Sequence, residues 1–431
     1  MKFPTRPIEF TPSIPTETTV VIIGGGIIGL TAALTLSERG IPVTLLEKGT
    51  VGAEQSTRNL GWIRKLNRSA KDMPLAIAAE ALWHQLPQRT GKQVGYKQAG
   101  IMFVARTDDE MEPHRKWLAS VENLSLDARL VTNAEISTLA PGSSTQWAGG
   151  IYMASDGYAE PTLTCNAVAT AAFDKGAKII ENCAVRKLSL SGGKISGVIT
   201  EHGEIKCDQV LLAGGLWSRR LLKSHNVALP SLPLLGSVVR THPFDGPTDI
   251  ATGASNFSFR KRIDGGYTIM QRGALDAPIT PEHLLLGHKY LDALKANMAF
   301  LRPRIDRYFF EDLVRGVDRS GRKVSPFERN RIGNPPINRA LLDEAMTELR
   351  KSWPTFNDAK ISNSWAGLID MTPDGEPVIS HVNKIPGLTL ATGFSGHGFG
   401  TSPAAGQLAA DLVMNVDPLV DPSPYAFERF S

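Results

Sequence analysis

The most regular pattern along the chain is an apolar strand that runs into a glycine-rich turn and then into a helix. Residues 20–23 are apolar, and the turn that follows them holds Gly24, Gly26 and Gly29. A second apolar strand, residues 43–46, comes after the helix. This order predicts a βαβ unit that binds a nucleotide diphosphate at the N-terminus of its helix.

The rest of the chain mixes helical and extended patterns. Helices are predicted at residues 73–88, 108–123, 162–175, 283–300, 338–352 and 404–414. Strands are predicted at residues 99–105, 178–180, 184–190, 195–200, 209–213 and 388–391. Alternation of apolar and polar residues at 237–240, 257–260 and 267–271 predicts an antiparallel sheet with one covered face. The strand at 209–213 enters a second glycine turn, so the first fold is expected to resume there after an insertion.

The composition narrows the class of partner. With 431 residues, 42% apolar and 21% charged, the chain is long enough for two domains. A net charge of +4 suits small anions, and the absence of a dense basic block with interleaved aromatics argues against nucleic acid. The basic interval 302–331 is interpreted either as a solvated face or as the rim of an entrance for anionic substrates.

Cysteine usage and hydropathy predict a cytoplasmic protein. Cys165, Cys183 and Cys207 stand far apart without metal-ligand spacing, so we expect reduced core thiols and no metal site. The N-terminus lacks the apolar run of a signal peptide, and no stretch reaches the roughly 18 apolar residues that a transmembrane helix needs.

Two further features predict a long dinucleotide ligand that extends from one glycine turn to another. Glu47 ends the second strand about 20 residues past the glycines, where a carboxylate can hold both ribose hydroxyls of an adenosine diphosphate that lacks a 2′-phosphate. A third glycine turn, residues 393–400, opens another helix. Its dipole suits the far end of a flavin, because it can stabilise negative charge on the ring.

Four motifs in this order resemble the D-amino-acid-oxidase family of FAD-dependent amine oxidoreductases: GGGIIG with Glu47, LLAGGLWS, TPDGEPVI and ATGFSGHGFG. The resemblance runs over nearly the whole chain and is weakest at 226–350. It implies an α/β plus α+β fold, in which a Rossmann-like FAD-binding domain is built from discontinuous segments and an antiparallel-sheet substrate domain covers the flavin. The implied FAD-binding segments are 16–95, 150–225 and 353–431, and the implied substrate-domain segments are 96–149 and 226–352.

The resemblance also implies a non-covalent FAD, because Gly367 stands where sarcosine oxidase has the cysteine that binds flavin. The residues predicted to bind FAD are Gly24, Gly26, Ile27, Ile28, Gly29, Glu47, Lys48, Ser56, Thr57, Arg58, Asn59, Leu60, Gly61, Trp62, Val185, Ala213, Gly214, Trp217, Gly367, Gly393, Gly396, His397, Gly398, Phe399, Gly400 and Thr401.

For the substrate, Arg64 resembles the arginine that grips a carboxylate in sarcosine oxidase. Ile369 and Gly400 stand where relatives carry other cationic groups, so Arg64 is the one carboxylate anchor that the resemblance identifies. The residues predicted to bind substrate are Trp62, Arg64, Arg260, Arg262, Arg272 and His397. Structural roles are the alternatives: Arg64 supporting the flavin, His397 satisfying backbone groups, and Trp62 or Phe399 packing in the core.

The implied reaction is oxidation of the C–N bond of a small amine or amino acid by hydride transfer to flavin N5, giving an imine that hydrolyses. It requires no catalytic acid or base and no metal. The missing glycine-oxidase arginine favours a secondary amine with a carboxylate, such as an opine, iminodiacetate or a hydroxyproline-like compound. The acceptor is either O2 or an electron-transfer partner. The alternatives are an FAD monooxygenase, or a non-catalytic or electron-relay flavin subunit of a larger dehydrogenase; a homo-oligomer or hetero-complex is left open.

Overall fold

The structure is a computed structural model that describes residues 13–305, 321 and 323–430. The strands are β1 Glu17–Ile23, β2 Val43–Leu46, β3 Trp62–Ile63, β4 Ile101–Ala105, β5 Ala128–Val131, β6 Gly149–Met153, β7 Gly157–Tyr158, β8 Lys178–Ile180, β9 Val185–Ser191, β10 Lys194–Thr200, β11 Gly203–Leu212, β12 Leu232–Thr241, β13 Ala251–Gly253, β14 Ser258–Lys261, β15 Tyr267–Met270, β16 Leu275–Pro278, β17 Leu301–Arg304, β18 Ile361–Met371, β19 Val378–His381 and β20 Leu388–Thr392.

The α-helices are α1 Ile27–Glu38, α2 Gln55–Arg58, α3 Met73–Thr90, α4 Asp108–Ser120, α5 Asn133–Leu139, α6 Pro161–Asp174, α7 Ser218–Lys223, α8 Pro281–Leu286, α9 Leu291–Asn297, α10 Pro326–Arg329, α11 Arg339–Ser352 and α12 Gly398–Met414. Short 3-10 helices lie at Glu122–Leu124, Gly215–Trp217, Gly287–Tyr290, Met298–Phe300, Pro354–Asp358, Ser423–Tyr425 and Phe427–Phe430.

The first sheet has β1 near its centre, in the order β19-β20-β11-β1-β2-β8. β1 runs parallel to β2 and β11, and β11 runs parallel to β20. Val20 and Ile22 join the core formed with α1, α6 and α12, whereas Val21 joins the core on the opposite face. Both faces of β1 are therefore buried, which explains its continuous apolar sequence. The predicted Rossmann-like fold is confirmed.

The second sheet has the order β17-β16-β12-β15-β14-β13-β4-β6-β5, and β18 also pairs with β12. Most of its pairings are antiparallel, as in β12 with β15 and β14 with β15. Its core includes the aromatic side chains of Phe259, Tyr267, Trp353 and Phe356, whose rings lie within 5.8 Å of one another in successive contacts. The predicted antiparallel substrate domain is confirmed as part of this fold.

Strand pairing assigns parts of two predicted FAD-binding segments to the second sheet. β6 begins at Gly149 and pairs with β4 and β5, so residues 150–153 belong to the second sheet and not to the FAD-binding segment 150–225. β18 pairs with β12 from Leu232↔Met371 to Thr241↔Ile361, so residues 361–371 also leave the FAD-binding segment 353–431. These pairings join residues that are distant in sequence, and local patterns do not reveal them.

The predicted helical region at 283–300 is present as several consecutive helical segments. The chain changes to a 3-10 helix at Gly287–Tyr290 and again at Met298–Phe300. The basic interval 302–331 lies partly outside the described residues. Among the helices that the structure describes, none is long and apolar enough to cross a membrane.

Candidate active site

A cavity of about 480 Å³ lies where the two sheets meet. Its walls come from the turn after β1, the loop after β2, the turn after β11, the strand β18 and the turn that opens α12. Ligands of open α/β sheets bind outside the carboxyl ends of the strands. The cavity occupies this position, and the second sheet closes it from the other side.

The glycine turn after β1 needs its glycines for close backbone approach. Gly24 has φ of +113°, and a Cβ atom there would lie 2.5 Å from Ala213 O. A Cβ atom at Gly29 would collide with Gly24 O. Ile27 N donates a hydrogen bond of 2.8 Å to Ser56 Oγ, so the loop after β2 closes over the start of α1.

Glu47 lies at the other side of this turn. Its carboxylate accepts hydrogen bonds from Gly25 N at 2.8 Å and from Gly49 N at 2.7 Å. Burial raises the pKa of Glu47, and Lys48 and the two backbone N–H groups oppose the rise. The side chain is therefore fixed at the end of β2, beside the glycine turn and within the cavity wall.

Most of the predicted cofactor residues line this cavity. They are Gly24, Gly26, Ile27, Ile28, Glu47, Lys48, Ser56, Arg58, Asn59, Leu60, Gly61, Trp62, Val185, Ala213, Gly214, Trp217, Gly367, Gly396, His397, Gly398, Phe399 and Gly400. Gly29, Thr57, Gly393 and Thr401 are not in the wall. Thr57 Oγ1 instead donates to Gly52 O, Gly393 N to Asp370, and Thr401 Oγ1 to His397 O, so these three residues shape the loops behind it.

A cluster of cationic side chains, with Arg64 and Arg272, also lines the cavity. Arg64 Nη2 lies 3.4 Å from His397 Nε2, and Arg64 Nη1 donates to Leu66 O. The Arg272 guanidinium lies over the Phe103 ring, 3.8 Å from its centroid. Within the described residues, no carboxylate lies at ion-pair distance from Arg64 or Arg272.

Burial and mutual repulsion explain the electrostatics of this cluster. Burial, with Arg68 and Arg272 nearby, lowers the pKa of Arg64 to about 9, and burial lowers that of Arg272 to about 10. Burial, Arg68 and Arg64 hold the pKa of His397 well below its usual range. His397 is therefore neutral, and an anion that entered the cavity would relieve the repulsion between the cations.

Arg260 and Arg262 are not in the cavity wall, contrary to the prediction. Arg260 is fully buried and forms an ion pair of 2.7 Å with Glu160, while its Nε donates to Leu60 O. Arg262 lies 3.7 Å from the same carboxylate and 3.3 Å from Asp264. Both guanidinium groups are therefore paired with carboxylates of the protein.

Arg68, Gln271 and Asp370 are among the wall residues that the sequence analysis did not predict. Arg68 forms an ion pair of 2.9 Å with Asp72 and donates to His397 O. Gln271 precedes Arg272, and Asp370 accepts a hydrogen bond of 2.8 Å from Gly393 N. Burial raises the pKa of Asp370 to about 6. Arg68 lies in an irregular loop, and Gln271 and Asp370 reach the wall through strands, so local spacing gave no signal for any of the three.

Comparison with known proteins identifies the family. The family described as FAD dependent oxidoreductase, or DAO, matches residues 19–412. The chain belongs to this family. It is an FAD-dependent amine or amino-acid oxidoreductase, as the four motifs predicted.

Individual relatives are similar over nearly the full chain. Glycine oxidase from Pseudomonas aeruginosa is 27% identical and covers 94% of this chain and 98% of the relative. 4-Methylaminobutanoate oxidase (formaldehyde-forming) from Paenarthrobacter nicotinovorans is 25% identical, and the match covers 97% of this chain but only 46% of that longer protein. The structure of L-amino acid deaminase from Proteus myxofaciens in complex with anthranilate has a TM-score of 0.94 and 30% identity, covering 98% of this chain and 96% of the other.

The cavity fits the FAD that this family uses. The N-terminus of α1 and the close approach permitted by Gly24 suit a diphosphate. Glu47 suits the ribose, and the N-terminus of α12 with His397 lines the same cavity. Among the described residues, no cluster of three metal-ligating side chains occurs.

Proposed function

We propose that this chain oxidises the C–N bond of an amino acid whose free carboxylate is held by Arg64 and Arg272. The observation that carries the proposal is the pair of partly buried guanidinium groups, Arg64 and Arg272, that face the cavity without a carboxylate at ion-pair distance among the described residues. Burying unpaired charge is costly, so such groups favour an anionic ligand. A guanidinium can meet a carboxylate with two parallel hydrogen bonds.

FAD, when bound, supplies the hydride acceptor for the reaction. The residues of the chain then bind and orient the substrate: a fixed carboxylate sets the direction of the α-carbon, and such alignment provides much of the rate. The cationic cluster also disfavours a charged ammonium group nearby, which promotes the neutral amine from which a hydride can leave. His397 is neutral and touches Arg64, so it helps to hold the anchor in position.

Arg272 bears on whether the substrate is a primary or a secondary amine. The preference for a secondary amine rested on the missing glycine-oxidase arginine, whose place Ile369 takes, whereas Arg272 supplies a second cation near Arg64. We therefore favour a primary α-amino acid, and the similarity to an L-amino acid deaminase supports this choice. A secondary amine such as an N-methyl amino acid is the second candidate, supported by the similarity to 4-methylaminobutanoate oxidase.

A substrate panel tests the proposal. Purified holoprotein is mixed without oxygen with L- and D-amino acids, N-methyl amino acids, iminodiacetate and the matching decarboxylated amines, and loss of flavin absorbance is followed. We expect carboxylate compounds to reduce the flavin at least about 100-fold faster than their decarboxylated analogues. The analogue offers the guanidinium groups no anionic partner in the cavity. Equal rates for both kinds of compound would refute the proposal.

The same protein separates the alternative functions. A monooxygenase would consume NAD(P)H, and an electron-relay subunit would not be reduced by any amine. Turnover with an amino acid and an artificial acceptor, in the absence of NAD(P)H, is the result we expect. The cytoplasmic location, the physiological acceptor and any homo-oligomer or hetero-complex stay predictions from the sequence.

A further inference from the structure

Residues 325–333 form a segment that we call the strap. In sequence the strap follows β17 of the second sheet and precedes α11, but in the structure it lies against loops of the first sheet. The strap contains α10 and the turn after it. Its Phe327 lines the cavity and lies edge-on to Trp217, with ring centroids 6.0 Å apart. Trp217 Nε1 in turn donates a hydrogen bond of 2.9 Å to Glu54. The strap therefore completes a wall that the first sheet leaves open.

Backbone contacts hold the strap against the loop that follows β2. Lys48 Nζ donates a hydrogen bond of 2.6 Å to Arg331 O, and Gly333 N donates one of 2.8 Å to Glu54. The approach is close, because a Cβ atom at Gly49 would lie 2.6 Å from Arg331 O. These loop residues directly follow Glu47, so the strap lies at the end of the cavity that suits the adenosine diphosphate moiety.

Two ion pairs fasten the strap to the β9–β10 hairpin and its following turn. Arg331 contacts both oxygens of the Glu201 carboxylate at 2.8 and 2.6 Å. Arg186 contacts both oxygens of Glu328 at 2.9 and 2.7 Å. The hydrogen bond from Arg186 is the main reason why the pKa of Glu328 falls to about 2. Both pairs have the two-point geometry that gives a guanidinium its specificity.

We propose that the strap is part of the FAD site, with Phe327 forming a wall at the adenosine end and the Arg331–Glu201 and Arg186–Glu328 pairs keeping that end closed. The strap must open before the adenosine diphosphate moiety can leave. FAD retention therefore depends on the strap as well as on the loops of the first sheet. This holds whichever amine is the substrate. An aromatic wall suits a planar adenine, which gains from burial and ring contact.

The test uses Phe327→Ala, Arg331→Gln and Arg186→Gln. Arg89→Gln is the matched control, because Arg89 also forms a partly buried pair with Glu38, at 2.7 Å, and neither residue lines the cavity. Holoprotein is diluted, and release of FAD is followed by the rise in free-flavin fluorescence. Binding of adenosine diphosphate to each apoprotein is measured by calorimetry, and circular dichroism checks the fold.

We expect FAD release to quicken about threefold to fivefold for each ion-pair variant, in keeping with partly exposed pairs, and more for Phe327→Ala, with no change for Arg89→Gln. Affinity for adenosine diphosphate should fall by a similar factor. Release rates equal to that of the control in both ion-pair variants would overturn the proposal. Faster loss of FAD with unchanged affinity for adenosine diphosphate would also overturn it, because the strap would then act at another part of the cofactor.

Discussion

Arg64 Nη2 and His397 Nε2 lie 3.4 Å apart in the cationic cluster that lines the cavity. A guanidinium has only donors, so the imidazole nitrogen must accept, which requires neutral His397 with its proton on Nδ1. The lowered pKa of His397 agrees with this assignment. The pair links the turn that opens α12 to the loop that carries Arg64, and it fixes the direction of the guanidinium.

Arg64→Ala should lose carboxylate recognition. Removing a desolvated charged partner costs about 2–5 kcal/mol, so kcat/KM for an amino acid should fall roughly 30-fold to several thousand-fold. Arg64→Lys should also be impaired, because an ammonium cannot make two parallel hydrogen bonds. Steady-state kinetics with an amino acid and its decarboxylated analogue measure the effect, and flavin content should be retained. Equal loss on both compounds would mean that Arg64 serves the loop through Leu66 O.

Arg260→Gln should affect stability and not substrate recognition. The substitution leaves Glu160 buried without its main partner, which costs about 3–5 kcal/mol of unfolding free energy. Urea unfolding measures this loss, with Arg240→Gln as a control, since Arg240 forms a half-exposed pair with Asp264 that is worth at most about 1 kcal/mol. A folded Arg260→Gln protein that selectively lost carboxylate substrates would contradict the assignment.

Glu47→Gln and Glu47→Ala should weaken FAD binding. Hydrogen bonds to a charged group are worth about 1.5–3 kcal/mol, so the dissociation constant for Glu47→Ala should rise at least tenfold. Glu47→Gln should lose less, because its amide oxygen can still accept from Gly25 N or Gly49 N. Titration of apoprotein with FAD gives both constants. An unchanged constant for Glu47→Ala would place the ribose elsewhere.

FAD should be released by acid. A Cβ atom at Gly367 would lie 3.1 Å from Arg58 Cβ, so the side chain of Arg58 occupies the space that an attached cysteine would need. Precipitation of the holoprotein with acid should leave the flavin in the supernatant. A pellet that stays yellow would show covalent attachment.

Local patterns were sufficient to predict residues that mostly line one cavity on the side of the glycine turn. Gly24, Gly29 and Glu47 are set by a βαβ unit of consecutive elements, so spacing alone predicted where they lie. The substrate half depends on contacts between distant segments. Arg260 and Arg272 are 12 residues apart, and the sequence does not distinguish them. The fold does, because it places Arg260 on β14 beside Glu160, which pairs with its charge.

The same limit explains why sheet membership at residues 361–371 was not predicted from the sequence. β18 reads as part of the last segment because it leads into β19, yet its hydrogen bonds go to β12, more than a hundred residues earlier. Asp370 and Ile369 reach the cavity wall through this pairing. A strand's partner is determined by the packed sheet, whereas its sequence mainly indicates which of its faces is buried.

His114 should make the protein less stable in mild acid. Its ring lies on Phe103, with centroids 6.2 Å apart, and burial together with Arg272 lowers its pKa to about 4 from an ordinary 6.5. Below pH 6.5 the unfolded chain therefore binds a proton at this residue and the native protein does not. Stability from His114 is present above pH 6.5 and declines as the pH falls toward 4, by about 2 kcal/mol at pH 5.

Urea unfolding of wild type and His114→Gln at pH 7 and pH 5 checks this linkage. His114→Gln has no proton to bind, so its loss of unfolding free energy between the two pH values should be smaller than that of wild type by about 2 kcal/mol. His283, whose pKa is also lowered to about 4, and His397 act in the same direction, so the variant should keep part of the pH dependence. If wild type and His114→Gln lost the same amount, His114 would be charged in the native protein or exposed to solvent, and the buried contact with Phe103 could not be correct.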